Sequence, residues 1–298
     1  MKYSTLLALT VAVLVSAGFI PTCIAEAPAT SPDKSQYTLF DPTPTSELRG
    51  MSTDRPNATN SPQTIDAGHL QIETGVVDYT YYHDRYKGAS AQYNQWGFGQ
   101  FNFRLGVLDN LELNAAFDSF DYATAHDNYT HSNTHAEAFG DTVVGAKLNF
   151  WGNEISDQTW ATAMAIQPQF KFPTDQSDLG NGRFEAVVGL PFMMNLPAGF
   201  HLSYEPAIGM VRSFDNTGYV TSIENAICVD RVVWKNLDVY VEYASALTTE
   251  SHVKPIQTID LGCTYALTDN IVLDGGVNLG LNNASNTVEA MAGVSVRF

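Results

Sequence analysis

From Thr287 to Phe298 the chain alternates without a break. Val288, Ala290, Ala292, Val294, Val296 and Phe298 share one face; Thr287, Glu289, Met291, Gly293, Ser295 and Arg297 share the other. A repeat of two belongs to an extended strand whose two faces meet different surroundings. The same texture recurs upstream. Ile271, Leu273, Val277, Leu279 and Leu281 oppose Val272, Asp274, Gly276, Asn278 and Gly280. Likewise Ile259, Leu261, Cys263, Tyr265 and Leu267 oppose Thr258, Asp260, Gly262, Thr264 and Ala266. Leu237, Val239, Val241 and Tyr243 oppose Asp238, Tyr240, Glu242 and Ala244, and Leu111, Leu113, Ala115 and Phe117 oppose Glu112, Asn114, Ala116 and Asp118. The chain is therefore all-β from about Ala67 onward.

Alternation alone also suits a soluble sandwich. Three further features favour an antiparallel transmembrane β-barrel. Short turns at Leu108-Asp109-Asn110, Pro197-Ala198-Gly199, Lys235-Asn236 and Thr268-Asp269-Asn270 alternate with longer polar connections at Asp84–Ala91, Tyr122–Ala138, Thr174–Gly182, Phe214–Gly218, Thr248–Pro255 and Asn282–Asn286. Short periplasmic turns and long external loops are the usual asymmetry of such barrels. Gly152–Gln158 is the exception, a long connection on the short-turn side. Trp151, Trp160 and Trp234 all fall beside short-turn ends, where an interfacial girdle belongs. Finally, strands starting near His69, Ser90, Asn110, Phe139, Trp160, Arg183, His201, Val220, Leu237, Gln257, Asn270 and Ser285 number about twelve, an even count as single-chain bacterial barrels require. Alternation is blurred over Ala226–Trp234.

The N-terminus sets the compartment. Met1-Lys2 precedes an apolar run from Leu6 to Ile20, and small residues follow near Cys23-Ile24-Ala25. These are the parts of a secretory signal peptide, residues 1–25, cleaved near Ala25. The run is shorter than the roughly 20 residues of a spanning helix. Lipoprotein processing at Cys23 is disfavoured by Pro21 and by the lack of a small residue before the cysteine. Residues 26–66, rich in Pro, Ser, Thr and Asp, read as a periplasmic extension or a partial plug, and residues 67–298 as the barrel. Of the mature cysteines, Cys228 and Cys263 fall on non-adjacent strands and are expected as free thiols. The formal net charge of −17 argues against nucleic acid and against anionic lipid surfaces as partners.

Several motifs resemble an outer-membrane family named for the MetA pathway of phenol degradation. Thr53-Asp54-Arg55-Pro56, Ser61-Pro62 and Ala67-Gly68-His69-Leu70-Gln71-Ile72-Glu73 are similar to its opening. Phe139-Gly140-Asp141-Thr142-Val143-Val144-Gly145-Ala146-Lys147 is similar to its central strand, and Leu273-Asp274-Gly275-Gly276-Val277-Asn278 through Arg297-Phe298 to its close. Asn57 stands where the family commonly has Asp. The resemblance covers roughly Ser52 to Phe298. It implies a transporter-like barrel, and the family's name suggests aromatic solutes.

No catalytic group emerges. A Gly-x-Ser-x-Gly elbow, a P-loop, a dinucleotide fingerprint and a Cys-x-x-Cys pair are all missing, and His69 and His201 lack a serine partner at strand register. An enzyme, a cofactor and a metal are not expected. His126, His131 and His135 occupy the longest expected external loop and read as solvated side chains. The expected lumen-lining set is Glu73, Arg104, Glu112, Asp118, Lys147, Lys171, Glu185, Glu205, Glu242, Asp260, Asp274 and Arg297. Charges of both signs on one face either pair across the barrel as a polar plug that stiffens a narrow lumen or line an aqueous path. Acids outnumber bases, so a path, if open, favours cations or neutral solutes. Asp54 and Arg55 are the expected plug residues, with Arg55 pairing lumenal carboxylates.

These readings converge on a monomeric outer-membrane channel for small, aromatic or hydrophobic solutes. Its partners are membrane lipid, the solute, and the barrel-assembly machinery, which reads the last strand. The alternatives are a closed barrel whose external loops bind a partner and a soluble secreted β protein. The phase of the last strand makes Val294→Arg costly and Ser295→Arg milder.

Overall fold

The computed structural model describes residues 33–84, 91–128, 131–175 and 179–298. The expected signal peptide with Cys23, residues 26–32, most of the Asp84–Ala91 connection and the tip of Thr174–Gly182 lie outside the described residues.

Twelve antiparallel strands form a closed wall. They are β1 (Leu70–Asp84), β2 (Ala91–Leu108), β3 (Leu111–Asp127), β4 (Ser132–Ala138 and Thr142–Trp151), β5 (Thr162–Phe172), β6 (Glu185–Gly189 and Phe192–Asn195), β7 (Phe200–Arg212), β8 (Tyr219–Trp234), β9 (Leu237–Thr248), β10 (Ile256–Thr268), β11 (Ile271–Gly280) and β12 (Val288–Arg297). Two of them are broken. The halves of β4 both pair with β3 on either side of Phe139-Gly140-Asp141, and β6 is interrupted at Leu190-Pro191, where proline has no N–H for the ladder. Each strand pairs with the next, and β12 closes the ring on β1 in register from Gln71↔Arg297 to Tyr81↔Val288. Closure removes the unpaired edges that an apolar surroundings would not tolerate.

The faces are the reverse of those of a soluble protein. Outward positions carry exposed Leu113, Leu148, Ile208, Val241, Leu261 and Leu273, while Gln71, Glu73, Arg104, Glu112 and Lys147 are wholly buried. A charge is buried only if it is paired, so the interior must be a polar network. Trp151, Trp160 and Trp234 stand exposed at the short-turn end of the wall. Among the described residues no helix is long and apolar enough to cross a membrane. Cys228 and Cys263 are free, on strands separated by β9.

Three expectations change. Tyr122–Ala138 is not a loop: β3 runs to Asp127, β4 starts at Ser132, and Asp121↔Ala138 to Asp127↔Ser132 pair as a hairpin. His126 thus sits opposite Asn133 and His135 opposite Thr124, on strands rather than in a loop. Past Tyr122 one face carries Thr124, His126, Asn133, His135 and Glu137, and the other small residues such as Ala123, Ala125, Ala136 and Ala138. Bulky apolar groups no longer alternate with polar ones, and the signature is lost. The blurred stretch Ala226–Trp234 is regular strand as far as a register shift between Val232 and Trp234, which leaves Val232, Val233 and Trp234 all exposed. Finally, Ser295 is fully buried on the inward face, and an arginine there has no space, so Ser295→Arg is not a mild change.

Candidate functional site

Residues 49–66 form no strand and no helix, so their backbone N–H groups must find acceptors elsewhere. The wall supplies them. The N–H of Asp54 donates to Glu73 of β1 (3.1 and 3.2 Å), and those of Ala58 and Thr59 to Glu242 of β9 (2.6 and 2.9 Å). Asn60 donates to Glu205 of β7 (2.6 Å) and Ile65 to Glu112 of β3 (2.9 Å). Arg55 reaches Asp274 of β11 (3.4 Å) and Asp78 of β1 (3.5 Å). A segment that touches strands spread around a closed ring lies inside it.

At the centre is a network of buried charge. Arg104 holds Glu112 through two parallel bonds of 2.9 Å and Glu73 at 3.0 Å, and it lies 3.4 Å from Asp54. Its remaining N–H groups donate to the carbonyls of Ser52 and Gln63, both 3.1 Å. Lys147 binds Asp54 (2.9 Å) and lies 3.6 Å from Glu112. The planar guanidinium fits this task, since it meets a carboxylate side-on and still has donors for the segment's backbone. Burial alone would raise the Asp54 carboxyl. The charges of Arg104 and Lys147 outweigh it and hold Asp54 below its usual range, so it stays ionised.

A second cluster clasps the segment at the short-turn end. Asp66 meets Lys34 (3.1 Å) and Arg49 (3.3 Å), and Arg49 also binds Asp109 and Glu154. Lys34 binds Glu154 at 2.9 Å. Arg297 donates to the Arg49 carbonyl (2.7 Å), with Asp66 4.0 Å away. Glu154 and Asn153, which bonds Thr64, both come from the long connection that breaks the short-turn pattern. That connection is long because it docks the segment.

Of the sequence-predicted residues, Glu73, Arg104, Glu112, Lys147, Glu205, Glu242, Asp274 and Arg297 all contact residues 49–66, as do Asp54 and Arg55 from within it. Asp260 is buried opposite Glu242 and accepts from Thr258. Lys171 and Glu185 pair with each other (2.9 Å), Lys171 also meeting Asp141 (3.2 Å), away from the segment. Asp118 packs against Gly140. Sequence reasoning misses Lys34, Arg49, Asp66, Asp109 and Glu154, for which no periodicity exists. It also misses Asp78, because a register shift between Gly75 and Val77 turns the phase of β1.

Close approach adds a test. The Gly106 backbone bonds Gly68 and His69, and a Cβ there would run into the Asp66 carbonyl, which is backbone and cannot swing aside. Gly106→Ala should therefore unseat the segment at its clasp. Proteolysis of the folded protein should then cut near residues 49–66 where the parent resists; equal resistance would show that the clasp tolerates the shift.

The family comparison covers this same geometry. A family described as "Putative MetA-pathway of phenol degradation" matches residues 53–298, from the inserted segment to the last residue of the chain. The chain belongs to this family. The three motifs that resemble it fall on the network: Asp54 and Arg55 in the first, Lys147 in the second, Asp274 and Arg297 in the third. No curated protein matches the sequence. Among solved structures, the transport unit of the autotransporter AIDA-I from Escherichia coli is similar at 10% identity and a TM-score of 0.50, over 83% of this chain and 92% of that one. The translocator domain of the autotransporter NalP from Neisseria meningitidis follows at 9% and 0.47, over 77% and 88%. The NanC porin gives 9% and 0.44, over 76% and 98%. At such identities the likeness is one of fold: this family member is an outer-membrane-type β-barrel.

Proposed function

We propose that the protein is a bacterial outer-membrane channel for small solutes, in which residues 49–66 act as a plug that governs passage. The observation that carries this reading is how the segment is held. Beside the buried Pro56, Pro62 and Ile65, it is held to the wall by polar bonds: N–H groups on carboxylates, the Lys147 ammonium on Asp54, and Arg104 on the Ser52 and Gln63 carbonyls. Water can replace such bonds one for one, so a polar plug can leave its seat at modest cost, whereas an apolar core would not. Inward acids not bound by the segment, among them Asp118, Glu224 and Asp260, bias the path toward cations and neutral molecules. The family's description points to aromatic compounds as the solute class. The expected export signal ending near Ala25 supports the outer membrane as the site of action, with the last strand read by the assembly machinery and a monomer as the working unit.

Planar bilayers test this. The parent protein should give small, cation-selective conductance. Glu205→Gln with Glu242→Gln weakens the bonds to Ala58, Thr59 and Asn60 and should raise conductance several-fold. Silence from both proteins, with no solute entry into loaded vesicles, would favour a closed barrel that works through its external loops.

A further inference from the structure

Beyond the segment, on the side of the long connections, strand register builds a recess. Across β7, β8 and β9 one inward row reads Ala207–Glu224–Ala246 and the next Glu205–Ala226–Ala244. Glu224 is thus flanked by an alanine on each neighbouring strand and Glu205 by one, in a wall whose other inward rows carry arginine, lysine and glutamate. The small side chains leave a cavity of about 300 Å³, floored by Ala58 and Asn60 of the segment. That lies at the lower end of ligand pockets, about 300–1,000 Å³, with room for one ring and a short arm.

Its chemistry is specific. Glu205 is already engaged by Asn60. Glu224 accepts from Ser222 Oγ (2.7 Å), and among the described residues no cationic side chain pairs with it. An anionic group beside a wall of alanines attracts a cation with a compact apolar body. We propose that this recess binds a small organic ammonium, its charge on Glu224 and its ring over Ala207, Ala226, Ala244 and Ala246. As the solute subsite of the channel it rests on the function proposed above, but binding is measured without transport.

The test is titration calorimetry of the full chain in a non-ionic detergent with benzylammonium, benzyl alcohol and benzoate. Saturable binding is expected for benzylammonium, and none for benzoate. Benzyl alcohol should bind about tenfold or more weakly, the size of one lost charge-assisted hydrogen bond. Glu224→Gln should bring benzylammonium down to the level of the alcohol and leave the alcohol unchanged. Ala226→Leu fills the recess and should abolish both, with heat-modifiable migration on a gel reporting that the barrel has folded. If it does not fold, Glu224→Gln decides alone. Equal affinity for the three probes, or benzylammonium binding indifferent to Glu224→Gln, overturns the proposal. A channel silent in bilayers would leave these binding results standing, and a failure to bind would leave the conductance test intact.

Discussion

Arg104→Met should cost the folded barrel about 3–5 kcal/mol, the range for removing one partner of a buried ion pair. The reason is the count of charges left behind. Arg104 faces Glu112, Glu73 and Asp54, and only Lys147 remains near them once it is gone. Methionine fills much of the volume but satisfies none of those oxygens, and the carbonyls of Ser52 and Gln63 lose their donors too. The loss should appear in denaturant titration of the protein in micelles and as a lower temperature for the heat-modifiable gel shift. Lys at the same position should recover only part of it, because an ammonium cannot hold Glu112 through two parallel bonds. A change below about 1 kcal/mol, the scale of a solvated surface pair, would mean that water enters the centre and the network is not dry.

The same residues show what a sequence can carry. The wall is legible because lipid imposes a demand at every second residue. Strand starts read at His69, Leu237 and Asn270 fall within one residue of Leu70, Leu237 and Ile271. The inward phase of Glu73, Glu112, Glu205 and Glu242 follows from that alternation alone. Their partners do not. A carboxylate in a predicted lumen looks like path lining, and an excess of acids looks like cation selectivity. Much of that excess is bound to backbone N–H groups of a segment that carries no net charge for those bonds, and backbone donors leave no trace in composition. The segment itself has no period to read, since its order comes from the wall and not from its own repeat. Where the wall leaves the lipid, as over Tyr122–Ala138, the demand disappears and the signature with it.

The outward face makes the second large prediction. Val241 is exposed and pairs with Val229 and Leu261, which are exposed as well. It stands four residues into β9. At a rise of roughly 3.3 Å per residue and a tilt of roughly 40°, that is about 10 Å from the short-turn end. The apolar band of such barrels is about 25 Å tall, so Val241 lies near its middle. Val241→Arg should therefore cost about 2–4 kcal/mol in a bilayer. Snorkelling gives limited relief, because the side chain must reach past neighbours that are themselves apolar. The fitting comparison is Ala244→Arg on the same strand. Ala244 faces the recess, where there is space and where Glu205 is close, and its cost should stay well below that of Val241→Arg. Ser295 cannot serve as the comparison, being fully enclosed. Refolding into vesicles, followed by denaturant titration, measures both. Equal costs would mean that the two faces of β9 meet the same surroundings, and the assignment of lipid outside and polar network inside would fall with them.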